Sequence, residues 1–136
     1  MFFPFYLGYY IIMIRPIVLV FILMSGVFAL THYLAVLGSL YYYYWWFDLP
    51  MHFWGGCLLT LGFHSFATLK TFKYETTYKL LLIFLLVVTL AWEIFEWQIG
   101  LGDIINPLRE ALKDMAVGFS GGLLTHLALY KYTIKP

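Results

Sequence analysis

The stretch LLLIFLLVVTLAWEIFEWQIG, residues 80 to 100, carries no charged side chain until it reaches Glu93. In a bilayer core no water meets the backbone N–H and C=O groups, so a segment of this kind must satisfy them within itself, as a helix. About 20 mostly apolar residues cross the hydrocarbon layer, and four runs have that character, at about residues 16–38, 50–69, 79–98 and 110–130. Composition agrees: 63% of the 136 residues are hydrophobic and 11% are charged, where a soluble domain has about 25% charged. The expected architecture is all-α, a four-transmembrane-helix bundle forming one domain over residues 1–136.

The opening segment, MFFPFYLGYYIIMI, is apolar but short, and Arg15-Pro16 closes it. It reads as a short N-terminal interfacial arm. A signal peptide is the competing reading, but no basic stretch precedes the apolar residues and no small-residue cleavage site follows them. The one cysteine, Cys57, has neither a disulfide partner nor a CxxC spacing. A net charge of +1 argues against a nucleic-acid partner.

Charges in the short loops set the expected orientation. In a four-span bundle Arg15, Lys70, Lys73, Lys79, Lys131 and Lys135 share one side, and only Arg109 and Lys113 fall on the other. The positive-inside rule then puts both termini in the cytoplasm, with the chain integral to the cytoplasmic (inner) membrane. The acids sort the other way: Glu75 alone is cytoplasmic, whereas Asp48, Glu93, Glu96, Asp103, Glu110 and Asp114 gather at the outer ends of the helices. The run YYYYWWF, residues 41–47, with Trp54, Trp92 and Trp97, lies at the same level, as an aromatic belt does. In a second reading some of these rings, Trp54 and Trp97 among them, form a stacking wall for a headgroup or sugar.

Polar positions then follow helical spacing. Asp48 precedes Pro50 as an N-cap would, and His52, Gly56, Thr60 and His64 continue its side of the second run at intervals of four. Asp114, Gly118, Gly122 and His126 repeat the pattern in the fourth. Such small and polar stripes let membrane helices approach closely and bond across their interface. The strings GGCLLT, from Gly55 to Thr60, and GGLLT, from Gly121 to Thr125, hint at a duplicated hairpin. Glu93 and Glu96 are three apart, on one face of the third run. A charge at membrane depth costs on the order of 2.5–3.5 kcal/mol, so these glutamates are expected to face inward. A shared site would bring them within roughly 5 Å of His52 or of Arg109 and Asp114, where charges perturb one another.

Three motifs in order, D-x-x-x-H-F-x-x-G from Asp48 to Gly56, WEIFEW from Trp92 to Trp97, and R-x-x-x-x-D-M from Arg109 to Met115, resemble the small bacterial membrane proteins of the VanZ-like and YjdF-like group. The resemblance covers about residues 45–125. Gly118 stands where VanZ-like sequences often have Asn, and Glu96 where they have Gln; the acids ahead of the last helix, Asp103 and Glu110, are fewer than in YjdF-like sequences. The resemblance implies a multi-span bundle and, on the VanZ side, a link to glycopeptide resistance and the cell envelope. It implies no particular reaction.

Three functions fit these residues. One is binding of a lipid headgroup, an envelope precursor or an antibiotic at the outer leaflet, with Arg109, Trp54 and Trp97 as contacts. Another is a metal-dependent membrane hydrolase acting on a lipid phosphate or ester. There Asp48, His52, Glu93, Glu96 and Asp114 hold Mg²⁺, Mn²⁺ or Zn²⁺, Glu93 or Glu96 acts as base, and Arg109 holds the phosphate. The third is structural, with Arg109 pairing Glu93 or Asp114 to pin helix ends.

Overall fold

A computed structural model describes residues 16–68, 77–100 and 105–133. The N-terminal arm, the loop bearing Lys70, Lys73 and Glu75, and the positions of Asp103 and Lys135 lie outside these residues. Everything described is helix or short connection: α1 (Pro16–Leu37), α2 (Leu40–Tyr43), α3 (Asp48–Ala67), α4 (Tyr78–Ile99) and α5 (Pro107–Thr133). The four long helices fall on the four apolar runs. The single-turn α2 is the one element that the hydropathy pattern does not anticipate.

Local chemistry explains the boundaries. Pro107 opens α5, a position where a missing N–H costs nothing. Thr77 caps α4, its hydroxyl accepting from the Leu80 N–H at 3.3 Å. Gly100 closes that helix at φ 75°, a left-handed conformation that lacks a steric penalty only for glycine. Asp48 departs from the expected cap: Phe47 occupies the N-cap position, no side chain caps the helix, and Asp48 is already its first residue.

The central pair is α3 with α5; α1 packs on α3, and α4 packs on both. Glycine makes the central contact possible. A Cβ on Gly56 would overlap the Gly118 carbonyl, and one on Gly121 would overlap the Phe53 carbonyl. The Cys57 thiol lies beside this crossing, donating to the Gly121 carbonyl at 3.4 Å. A Cβ on Gly122 would come within 3.0 Å of the Thr60 hydroxyl and 2.9 Å of Leu85. The two similar GG strings therefore face each other across the main interface.

Further along the same interface His64 and His126 meet, both buried, Nε2 to Nδ1 at 3.1 Å. Their ring centroids are 5.3 Å apart with planes 15° apart. The centroid separation exceeds the N···N distance by about two ring radii, so the rings meet end to end, as an N–H···N bond requires.

The outside of the molecule is apolar. In α1 none of the most hydrophobic 18-residue window is buried, and in α4 only 11% is, although both helices are long and apolar enough to cross a membrane. Leu23, Ile83 and Val87 are more than half exposed. Helices this greasy would fill the core of a water-soluble protein, whereas here most of their side chains are exposed and only Ala35, Leu81 and Leu85 are buried.

Candidate metal centre

The first turn of α3, the last turns of α4 and the second turn of α5 meet at one end of the bundle, and each supplies carboxylates. His52 is at the centre. Its Nε2 lies 3.3 Å from Asp48 Oδ2 and 4.0 Å from Glu96 Oε2, and its Nδ1 lies 3.9 Å from Glu93 Oε1. Asp114 arrives from α5. Ligand atoms of Asp48, His52 and Asp114 lie within 4.8 Å of one another, as do those of His52, Glu93 and Glu96. The two triads share the imidazole, so five residues make one cluster.

Helical geometry accounts for this convergence. Asp48 and His52 are one turn apart, as are Glu93 and Glu96, so each pair presents both groups on one side of its helix. The contact of α5 with α3 at Gly56 and Gly118 brings Asp114, one turn before Gly118, alongside His52, one turn before Gly56. Without glycine at this crossing the helices would stand too far apart for the two side chains to share a site.

Asp114 is 2% exposed and its Oδ1 has no hydrogen-bond partner. Lys113 Nζ lies 3.4 Å from that oxygen and is, among the described residues, the one cation paired with it. A buried carboxylate oxygen in this condition is costly to keep. When ionised, the four carboxylates outnumber the imidazolium and the Lys113 ammonium by two charges. Protons or a divalent cation must cover that difference.

The geometry separates two roles. Asp48 and Glu96 flank His52 on the Nε2 side, with Asp114 grouped beside Asp48. Glu93 alone approaches Nδ1. An imidazole that binds a metal through one nitrogen usually gives its other N–H to a carboxylate, which fixes the ring and raises its basicity. Glu93 is the carboxylate on that side, at 3.9 Å, and would have to close by about 1 Å to accept the N–H. Octahedral ligands at about 2.1 Å from an ion sit roughly 3 Å apart, so binding would draw these side chains inward by rotamer adjustment.

The other expected site residues are elsewhere. Arg109 is exposed and lines a cleft with Asn106, Glu110 and Lys113; it pairs with neither Glu93 nor Asp114, and the cation beside Asp114 is Lys113. Trp97 is 71% exposed, on the outside of α4. Trp54 packs edge-on against Phe28 of α1, centroids 5.6 Å apart, with its buried indole N–H unpartnered. The two tryptophans do not form one wall.

One participant escapes sequence reasoning. Tyr41, one of four consecutive tyrosines, accepts or donates a 2.8 Å hydrogen bond with His32 Nδ1 and packs edge-on against Phe47. Its pKa is pushed up to about 12, by burial first and then by the Asp48 and Glu96 carboxylates. The phenol therefore stays protonated beside the acids. The only signal in the sequence is its place seven residues before Asp48, and the aromatic run hides it.

The chain is thus an all-helical protein with two helices of membrane-spanning length and a carboxylate–imidazole cluster at one end. No known protein family, curated protein or solved structure matches it.

Proposed function

We propose that this chain is a four-span bundle of the cytoplasmic membrane, termini inside, whose function depends on a divalent cation held at its outer end. Asp48, His52, Glu96 and Asp114 bind the cation, and Glu93 orients His52. The observation that carries this reading is the buried Asp114 carboxylate, its ligand atom grouped with those of Asp48 and His52. Four carboxylates drawn together, one of them buried, carry more negative charge than His52 and Lys113 balance. With oxygen ligands in the majority and a single imidazole, Mn²⁺ fits better than Zn²⁺, which prefers more nitrogen or sulfur, and better than Mg²⁺, which prefers oxygen and water. Bound there, a cation supplies an electrophilic contact for an anionic group at the membrane surface.

The span count rests on length as well as hydropathy. α3 has 20 residues and α5 has 27, enough at about 1.5 Å per residue to cross the hydrocarbon layer beside α1 and α4. Their polar stripes face each other, where a membrane interior tolerates them. The resemblance to VanZ-like and YjdF-like proteins is in keeping with this reading.

Purified protein stripped with chelator should take up about one equivalent of Mn²⁺, measured by loss of the free-ion EPR signal. Binding no stronger in the parent than in Asp114→Asn would sink the cation site. Topology has its own test: in a Cys57→Ser background, a cysteine at Ser39 should react with an impermeant thiol reagent added outside the cell, and one at Thr76 should not. Reversed labelling would put the acids on the cytoplasmic side.

A further inference from the structure

We infer that Asn106, Arg109 and Lys113 form the anion-recognising half of the same site, and that its ligand is a phosphate group. This rests on the cation reading above. The three residues line a cleft of about 350 Å³ at the start of α5, with Glu110 as the one acid in its wall. The cleft and the carboxylate cluster are contiguous, because Lys113 belongs to the cleft while its Nζ lies 3.4 Å from Asp114 Oδ1. Lys113 is 45% exposed and Asp114 2%, so the lysine reaches from the cleft to the buried carboxylate.

Arg109 and Lys113 sit one turn apart on a single helical stripe. Like charges at this spacing repel, and among the described residues Arg109 forms no ion pair. The Lys113 ammonium is already paired with Asp114, and Glu110 stands in the cleft wall, so an oxyanion in the cleft would meet chiefly the Arg109 guanidinium and the exposed side of Lys113. The planar guanidinium can grip two oxygens at once, the ammonium acts as a point charge, and the Asn106 amide can donate a neutral bond. A phosphate has enough oxygens to meet all three and still leave one for the cation beyond Lys113. A carboxylate has only two. Glu110 limits the negative charge the cleft tolerates, which favours a phosphate whose charge is shared with a metal.

The phosphate can belong to a lipid headgroup or be free in solution, and one experiment separates the sources. The full chain is placed in phosphatidylcholine nanodiscs, loaded with Mn²⁺, and given either a few per cent phosphatidic acid or dissolved inorganic phosphate. Paramagnetic broadening of the ³¹P resonance reports phosphate close to the bound ion. We expect broadening of the phosphatidic acid signal that weakens roughly tenfold in Arg109→Gln, the loss of a charge-assisted hydrogen-bond pair. Mn²⁺ affinity in that variant should stay within about threefold of the parent, because the Arg109 side chain is exposed and is not among the grouped ligands. Arg109-dependent broadening with inorganic phosphate alone would uphold the phosphate site and assign its source to solution. If Mn²⁺ binds but the broadening is absent or equal in parent and variant, the phosphate inference falls and the cation site stands. If Mn²⁺ does not bind, both fall.

Discussion

Gly56→Leu is expected to destroy the α3–α5 interface, whereas Gly55→Ala, one residue away, is expected to be neutral or mildly stabilising. Even a methyl group on Gly56 would overlap the Gly118 carbonyl, which cannot rotate away as a side chain can. The helices would have to separate, costing at least the 1–3 kcal/mol typical of overpacking, and with a leucine about 3 kcal/mol or more. Gly55 has nothing within 4 Å of its missing Cβ, so alanine there gains up to about 1 kcal/mol of helix propensity without a clash. Thermal unfolding in detergent, followed by tryptophan fluorescence, measures both. Equal melting of Gly56→Leu and the parent would mean that the glycine crossing is not the main contact. Gly118 and Gly122, whose spacing marks them as packing positions, are more forgiving: a Cβ on Gly118 would find its nearest atom at 3.4 Å, and one on Gly122 meets only side-chain ends.

Asp114→Asn should lower Mn²⁺ affinity at least about 100-fold, and Glu93→Gln by roughly 10- to 100-fold, the range seen when an outer carboxylate behind a metal-bound imidazole is removed. The order matters as much as the size. Asp114 is assigned as a ligand and Glu93 as the group that orients one, so a larger loss in Glu93→Gln would reverse their roles. The metal-free proteins give a further contrast. Asp114 is a buried carboxylate among other carboxylates, so Asn at this position should leave the apo protein as stable as the parent or about 1–2 kcal/mol more stable. Were the charges present only to pin helix ends, the same substitution would lower the melting temperature.

Much of this arrangement is legible in the sequence because two physical constraints, hydropathy and helical periodicity, act along each apolar run. Hydropathy places the four long helices, and the i, i+4 stripes identify Asp48, His52, Gly56, Thr60 and His64 as one face and Asp114, Gly118, Gly122 and His126 as another. The inward aim of Glu93 and Glu96 follows from the cost of the alternative. What spacing cannot supply is the azimuth of one helix relative to the next. Arg109 lies five residues before Asp114, about 140° around the helix, so an arginine close in sequence stands on a different side while Lys113 takes its place. The end-to-end contact of His64 with His126 depends in the same way on the depth at which α3 and α5 cross. Tyr41 belongs to a connection whose path no periodicity records.

The glycine crossing also decides which way traffic can run. Along α3 the order is His52, Gly56, Thr60, His64, and at Gly56 the backbones of α3 and α5 touch with no side chain or water between them. Below that closure the Thr60 hydroxyl is buried without a partner and the histidine pair is sealed against its neighbours. A solute arriving at the acidic end meets a dead end of main chain, and passage to the opposite face would require two packed helices to part. In the orientation proposed above, a ligand at the acidic end would exchange with the outer surface for as long as α3 and α5 stay packed at this crossing.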